Sequence, residues 1–448
     1  MKKFLTLLLC GAMLFSAVGC THGGKEDEVK FVGQPDYEQF VDSRQMMISA
    51  YWAPKHTQEQ FQGVKDCGIT HLYLESKYGK PGTQEYIKAL ELAEKLGIKI
   101  IAQRVSKDLP FTEDETDYSK YTCFAGHNIW DEPTKANFDT IELELEVFQD
   151  RYPNGEAEFY SNLFPLYAKP EQLGFDSFEE YVEQYCKQVV SKIKHHRSLS
   201  CDSYPLMHNE SRDVNHLLAG HLVSLNTIAR AAKKYDADAY FFIQDMDFGK
   251  GRRAPLQADF CLQVNAAFAF GIRGIQHFTY QTPQDEPGGE FLEGQTALVD
   301  RDGTRTERWE YARQINREIA AFDHVYLSFA WNGVMPVRGE EQNDAGDDFA
   351  MLKGALKEHS RIQSAVCGQD TLVGTFTDEN GYDGFMVTPY RETTDNVTTQ
   401  VELQFNQADS AIVWQKGVRK IESLQNGKLK LSILAGDGAF VIPYIEAK

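Results

Sequence analysis

The chain has 448 residues, 42% of them hydrophobic and 12% aromatic, which is enough apolar material for one large domain with a smaller one beside it. Its formal net charge is −20, and so acidic a surface excludes nucleic acid and anionic polysaccharides as natural partners. The cysteines, eight in all, include no CxxC or other close pair and so signal neither a zinc site nor a disulfide framework; no metal and no cofactor is expected.

At the N-terminus Lys2 and Lys3 precede an apolar stretch from Phe4 to Phe15 and the small-residue run Ser16-Ala17-Val18-Gly19, which ends at Cys20. This is the pattern of a signal peptide over residues 1–19, too short to span a membrane. The run resembles a bacterial lipobox, with Ala17 where leucine is commoner, so Cys20 is expected to carry a lipid and anchor the chain to a membrane. Cleavage there removes two lysines and no acid, taking the charge from 46 − 66 to 44 − 66, or −22. His22 and the acidic Lys25-Glu26-Asp27-Glu28 point to the outer membrane or cell surface, with residues 20–38 as a lipidated tether.

Strand and helix patterns alternate through residues 39–327. Met46 to Trp52 reads as a first strand, followed by a helix marked by Thr57, Phe61 and Val64. Ile69 to Glu75 is a second strand, Thr83 to Leu96 a helix closed by Gly97, and Ile98 to Ala102 a third strand. The fourth is Gly126-His127-Asn128-Ile129-Trp130-Asp131-Glu132-Pro133, an apolar run that stops in two adjacent acids and a proline. Proline cannot donate to a sheet ladder and disfavours helical geometry in the residue before it, so the strand ends at Glu132. Strands five to eight are Glu158 to Asn162, Leu199 to Pro205, Ala239 to Asp245 and Ile272 to Tyr280, each followed by a helical pattern, the last being Thr306 to Phe322. Eight strands, each with its helix, match an α/β chain folded as a (β/α)8 TIM barrel. A doubly wound open sheet is the competitor, and no GxGxxG or Walker loop follows the first strand to support it.

From residue 328 helical periodicity gives way to alternating segments such as Asp383 to Thr388, Thr399 to Phe405 and Ala439 to Tyr444, joined by Asn380-Gly381 and Asn426-Gly427 turns. Residues 328–448 are therefore expected to form a small C-terminal antiparallel β-sandwich that packs on the barrel.

In a barrel of this kind the active site lies at the C-terminal ends of the strands. Those ends offer Trp52, Glu75, His127, Asp131, Glu132, Asn162, Asp202, Tyr204, Gln244, Asp245, His277 and Tyr280. Carboxylates, amides and rings together suit a sugar: acids polarise the glycosidic bond, polar groups bind hydroxyls, and aromatic faces stack on pyranose rings. Glu132 is the first candidate for proton donor. It ends a strand beside Asp131, with Trp130 to shield it, and both influences raise a carboxyl pKa. A helix N-terminus also collects acids, which is the plain alternative for this pair. His195-His196 and the His216, His221 pair lack the spacing of metal ligands on one helical face. Gly249-Lys250-Gly251-Arg252-Arg253 is a short basic loop that either rims the cleft or is solvated.

The segments Trp130-Asp131-Glu132-Pro133, Cys201-Asp202-Ser203-Tyr204-Pro205, Phe268 to Tyr280 and Ala297 to Gly303 resemble the β-galactosidase-like (β/α)8 glycoside hydrolases found among gut-bacterial lipoproteins. The resemblance covers roughly residues 40–330 and is specific for the superfamily rather than for a substrate. It implies hydrolysis of O-glycosidic bonds in a neutral oligo- or polysaccharide, with Glu132 as acid/base and a glutamate at the end of strand seven as nucleophile. The chain departs from the pattern there, with Gln244 followed by Asp245. Side chains alternate across a strand, so the two cannot both face the site unless the strand has ended. Asp245, Asp202 and Glu75 therefore remain candidates for the second carboxylate. The missing glutamate also keeps open a barrel that has lost catalysis and serves as a surface glycan-binding lipoprotein.

Overall fold

A computed structural model describes residues 31–447 apart from residues 76, 105–115, 250, 285–290 and 343–344. The signal segment, Cys20 and the first part of the tether lie outside the described residues.

Eight parallel strands close into a barrel in sequential order: β1 (Met47–Ala50), β2 (His71–Tyr73), β3 (Lys99–Gln103), β4 (Phe124–Asp131), β5 (Glu158–Leu163), β6 (Ser198–Asp202), β7 (Asp238–Gln244) and β8 (Gly274–Phe278), with β8 returning to β1. Helices follow seven of them: α1 (Gln58–Asp66), α2 (Gln84–Leu96), α3 (Phe138–Arg151), α4 (Phe178–Gln188), α5 (His221–Tyr235), α6 (Gln257–Ala269) and α7 (Glu307–Ala320). Between β3 and β4 there is no helix among the described residues; Tyr118 instead packs its ring against Tyr86 of α2 and Phe124 of β4. The helix expected after the third strand falls largely on residues 105–115, outside the described residues.

Local chemistry sets the helix ends. Thr57, Thr83 and Ser177 each accept a hydrogen bond from the backbone N–H three residues on, satisfying donors that a helix N-terminus leaves unpaired. Gly97 closes α2 with φ of 67°, a conformation that costs glycine nothing. Inside the barrel Met47, Tyr73, Ile101 and Tyr160 pack together beneath Phe242, which lines the mouth, so the interior is a packed core rather than a channel. The outward faces pack on the helices through residues such as Phe61, Leu90, Ile141 and Leu145.

The C-terminal region is two antiparallel sheets. One has six strands (Phe329–Val337, Thr371–Asp378, Asp383–Pro389, Ala439–Tyr444, Ser410–Gln415 and Val418–Ser423, in spatial order) and the other three (Ile362–Cys367, Thr399–Phe405 and Lys428–Ile433). Alternation divides the larger sheet cleanly. Phe385, Val387 and Val441 face Val401, Leu403 and Leu431 of the smaller sheet, while Met386, Phe440 and Ile442 face the barrel. Phe440 lies 5.9 Å from Tyr326 and 6.4 Å from Phe322, ring centre to ring centre. At Gly374 a β-carbon would sit 2.3 Å from the carbonyl oxygen of Ala269, so only glycine lets the sheet approach α6 this closely. The sandwich is thus fixed to the barrel wall, and Glu392 also reaches the loop after β7 through Arg253. All six cysteines among the described residues are free and buried.

Candidate active site

At the C-terminal mouth of the barrel a cavity of about 390 Å³ opens above β4, β5 and β6, roofed by the loops after β5 and β7. Three carboxylates line it: Asp131, Glu132 and Asp202. Alternation along β4 alone would send the side chains of Asp131 and Glu132 to opposite faces. Glu132 instead takes a left-handed backbone, φ 54°, with its N–H donated to the Asn162 carbonyl at 2.8 Å, and the turn brings both acids to the cavity. A non-glycine residue pays roughly 1–2 kcal/mol for that conformation, strain of the kind that collects at functional sites.

Asp202 ends β6 and is 6% exposed. Burial pushes its carboxyl up to about 7; the negative charge of Asp131 adds to the shift, and a hydrogen bond from Asn162 Nδ2 to Oδ1, 3.1 Å long, opposes it. The donor is held in that direction from below. Gln276 Oε1 accepts from the hydroxyls of Tyr73 and Tyr160 at 2.5 and 2.9 Å, and its Nε2 donates to Ser200 Oγ at 2.7 Å. With the Tyr160 hydrogen used on Gln276, the Ser200 hydroxyl donates to Asn162 Oδ1 at 2.8 Å, which leaves the amide nitrogen to face Asp202. A buried polar chain therefore runs from the barrel floor to the carboxyl.

Aromatic rings form the walls. Tyr204 meets Phe248 edge-on at 5.0 Å and lies 5.1 Å from Phe278, and the Tyr51 ring stacks on Phe278 at 6.2 Å. The Tyr51 hydroxyl donates to Glu75; burial, then the charges of Asp131 and Glu75, keep that hydroxyl protonated, its pKa raised well above the ordinary value. Arg252, the single cation among the described lining residues, sits over the Tyr167 and Phe248 rings at 5.3 and 4.8 Å.

Of the residues expected at the site, the structure brings together Asp131, Glu132, Asn162, Asp202 and Tyr204. It places the others elsewhere. Gln244 points inward but is tied to backbone, accepting from Leu206 N–H at 3.1 Å and donating to the carbonyls of Met246 and Arg253 at 3.1 and 2.9 Å. Asp245 lies one residue on and faces the helix layer, where His277 Nδ1 meets its Oδ2 at 2.9 Å and His277 Nε2 meets Asn316 of α7 at 3.0 Å. Both are fully buried. Burial raises the Asp245 carboxyl; on His277 burial works the other way, but the Asp245 charge and hydrogen bond outweigh it and raise the imidazole. Neither is at the cavity, so the strand-seven carboxylate is not supplied by Asp245. His127 also faces outward, wedged among Phe124, Phe148 and Tyr152, and burial pushes its pKa down to about 3. Tyr280 is buried with its hydroxyl against Gly63 of α1. Trp52 and Glu75 line a separate, neighbouring cavity. Phe278 was available to alternation, two residues after the inward Gln276; Tyr167 and Phe248 come from loops with no period and left no signal in the sequence.

No protein-family model matches the chain, and no curated protein matches its sequence. Among solved structures it is similar to a β-galactosidase from the psychrophilic Marinomonas ef1, at 12% identity over 70% of this chain and 66% of that one, with a TM-score of 0.39. It is also similar to an α-amylase from Lactobacillus plantarum, at 12% identity over 90% and 99% of the two chains with a TM-score of 0.43. An Anoxybacillus α-amylase gives 11% identity over 91% and 99%, with a TM-score of 0.40. Likeness at this level carries no activity from one chain to another.

The raised Asp202 pKa predicts a pH-dependent stability. In the unfolded chain the carboxyl titrates near its ordinary value of about 3.9; in the folded chain it titrates near 7. Between those values the folded state holds a proton that the unfolded state has released, so each rise in pH destabilises the fold, and above about 7 the penalty is complete. Urea unfolding of wild type and Asp202→Asn at about pH 5 and pH 8 checks this. The variant gains stability relative to wild type at the higher pH; a difference that does not change with pH contradicts the shift.

Proposed function

We propose that the chain is a glycoside hydrolase acting on a neutral saccharide, with Asp202 and Glu132 as its two working carboxyls. The observation that carries this reading is the company Asp202 keeps: a carboxyl raised to about 7 shares one aromatic-walled cavity with two further acids, Asp131 and Glu132, at the mouth of a (β/α)8 barrel. A carboxyl that keeps its proton near neutral pH can deliver it to the glycosidic oxygen as the bond to the leaving group breaks. Asp202 is therefore assigned the proton donor, the role that strand order alone gives to Glu132. Glu132 is the carboxylate partner, either attacking the anomeric carbon or activating the water that does. Asp131 and Asn162 bind ring hydroxyls, and the rings of Tyr51, Tyr204 and Phe278 receive the apolar face of the sugar. Three acids against one arginine disfavour an anionic sugar.

A second reading is favoured by Gln244. An amide locked to backbone stands at the strand-seven position, and a barrel without that carboxylate can bind a glycan without cleaving it. In either case a lipid on Cys20 would hold the cavity at a membrane surface. That proposal rests on the run ending at Cys20, and equal solubility of wild type and Cys20→Ala in cell fractionation would sink it.

Hydrolysis of aryl glycosides and neutral oligosaccharides by wild type, Asp202→Asn and Glu132→Gln tests the assignment. Asp202→Asn is expected to lose about 10²- to 10⁴-fold on substrates with poor leaving groups and much less on activated aryl glycosides, which leave without a proton. The fall in wild-type kcat/KM above about pH 7 should disappear with it. Glu132→Gln is expected to lose activity on both substrate types. The opposite pattern returns the donor role to Glu132, and binding without turnover by wild type establishes the second reading.

A further inference from the structure

Beside the acidic cavity lies a second one of about 290 Å³, between the exits of β1, β2 and β3 and the loop after β8. Its lining includes Trp52, Glu75, Tyr78, Gln103 and Gln281. Two side chains join it to the first: Tyr51 lines the acidic cavity, and its hydroxyl donates to Glu75, which lines the second. Glu75 is also held by Gln103, whose Nε2 donates to Oε1 at 3.3 Å. With both of its oxygens so engaged, this carboxylate braces the partition rather than serving as a third acid.

The backbone at the β1 exit distributes rings to both sides. Trp52 takes a left-handed conformation, φ 61°, immediately after Tyr51, whose ring faces the acidic cavity. The next residue is thereby turned so that its half-buried indole lines the neighbouring cavity, with the two rings stacked 6.1 Å apart across the partition. Gln281 N–H donates to the Trp52 carbonyl at 3.3 Å, and Gln281 Nε2 donates to the Tyr78 hydroxyl at 3.0 Å and to the carbonyls of Asp300 and Arg301 at 3.3 and 3.2 Å. These bonds fix the Tyr78 ring and the Trp52 backbone to the same loop. The outcome is a mixed surface: an indole and a phenol for an apolar ring face, with amide side chains and Lys77 around them for hydroxyls.

We propose that this cavity is a second saccharide subsite, which takes the neighbouring unit of an oligosaccharide whose reacting unit sits in the acidic cavity. The inference rests on the glycosidase reading and extends it: the substrate is a chain of at least two sugars, and Trp52 and Tyr78 select for its length. Tyr51 is the ridge over which the linkage passes, with the paired acids on one side and the indole on the other.

The test measures kcat/KM of the full chain on aryl glycosides of neutral monosaccharides and on those of the matching di- and trisaccharides. Wild type is expected to prefer the longer substrates. In Trp52→Ala the ratio of kcat/KM on the trisaccharide to that on the monosaccharide should fall about tenfold, the scale of one lost ring contact. Trp52→Leu keeps the apolar bulk without the stacking face and is expected to lose the same preference, which guards against an alanine variant that fails to fold. An equal loss on all lengths, or an unchanged ratio in both variants, overturns the subsite and leaves the glycosidase reading intact. If wild type cleaves none of the panel, the glycosidase reading fails and the same glycans are titrated by calorimetry. Weaker trisaccharide binding by Trp52→Leu then supports the subsite, and equal or absent binding overturns it.

Discussion

In a closed parallel barrel successive side chains alternate between the interior and the helix layer, and that parity governs which polar residues near the strand ends meet a ligand. Tyr160 and Asn162 on β5, Ser200 and Asp202 on β6, and Gln276 and Phe278 on β8 share the inward parity and build one connected interior. His127, Asp245 and His277 have the other parity and are spent on packing against α3 and α7. Where two consecutive residues serve the mouth, the backbone departs from strand geometry: Glu132 and Trp52 both take positive φ at strand exits. Parity with two left-handed exceptions thus decides which strand-end residues reach the two cavities, and the loops supply the rest.

Much of the architecture was legible because each strand and helix carries its own period, and because caps such as Thr57, Thr83 and Gly97 sit where the periods change. Among the described residues of the β3–β4 connection, Tyr118 packs its ring on Tyr86 of α2. The site was legible in half. Asp131, Glu132, Asn162, Asp202 and Tyr204 stand at strand ends and converge as strand ends must. Parity already argued that Gln244 and Asp245 could not both face inward, and Gln244 took the inward place only to be consumed by backbone groups. Residues lent by loops were beyond reach, since Tyr167 and Phe248 have no period to betray their direction. Nor does sequence reveal burial depth, which is what separates Asp202 from the other two acids.

Burial also explains how stability and chemistry oppose each other here. A carboxyl kept away from water favours its neutral form, and the Asn162 hydrogen bond offsets only part of that cost. The cost is borne by a scaffold with large reserves of apolar contact: the barrel core, the helix layer, and the sandwich that packs Phe440 and Ile442 against the barrel wall. The Tyr73–Gln276–Ser200–Asn162 chain places a fixed donor beneath the carboxyl, so its geometry is set by buried partners rather than by solvent.

Difference infrared spectroscopy of wild type against Asp202→Asn reads directly whether the Asp202 carboxyl holds its proton up to about pH 7. The expected spectrum shows a carbonyl stretch of a protonated carboxyl, present in wild type and missing from the variant, that disappears with a midpoint near pH 7. A spectrum in which no such band survives above about pH 5, where an ordinary carboxyl is already ionised, would contradict it.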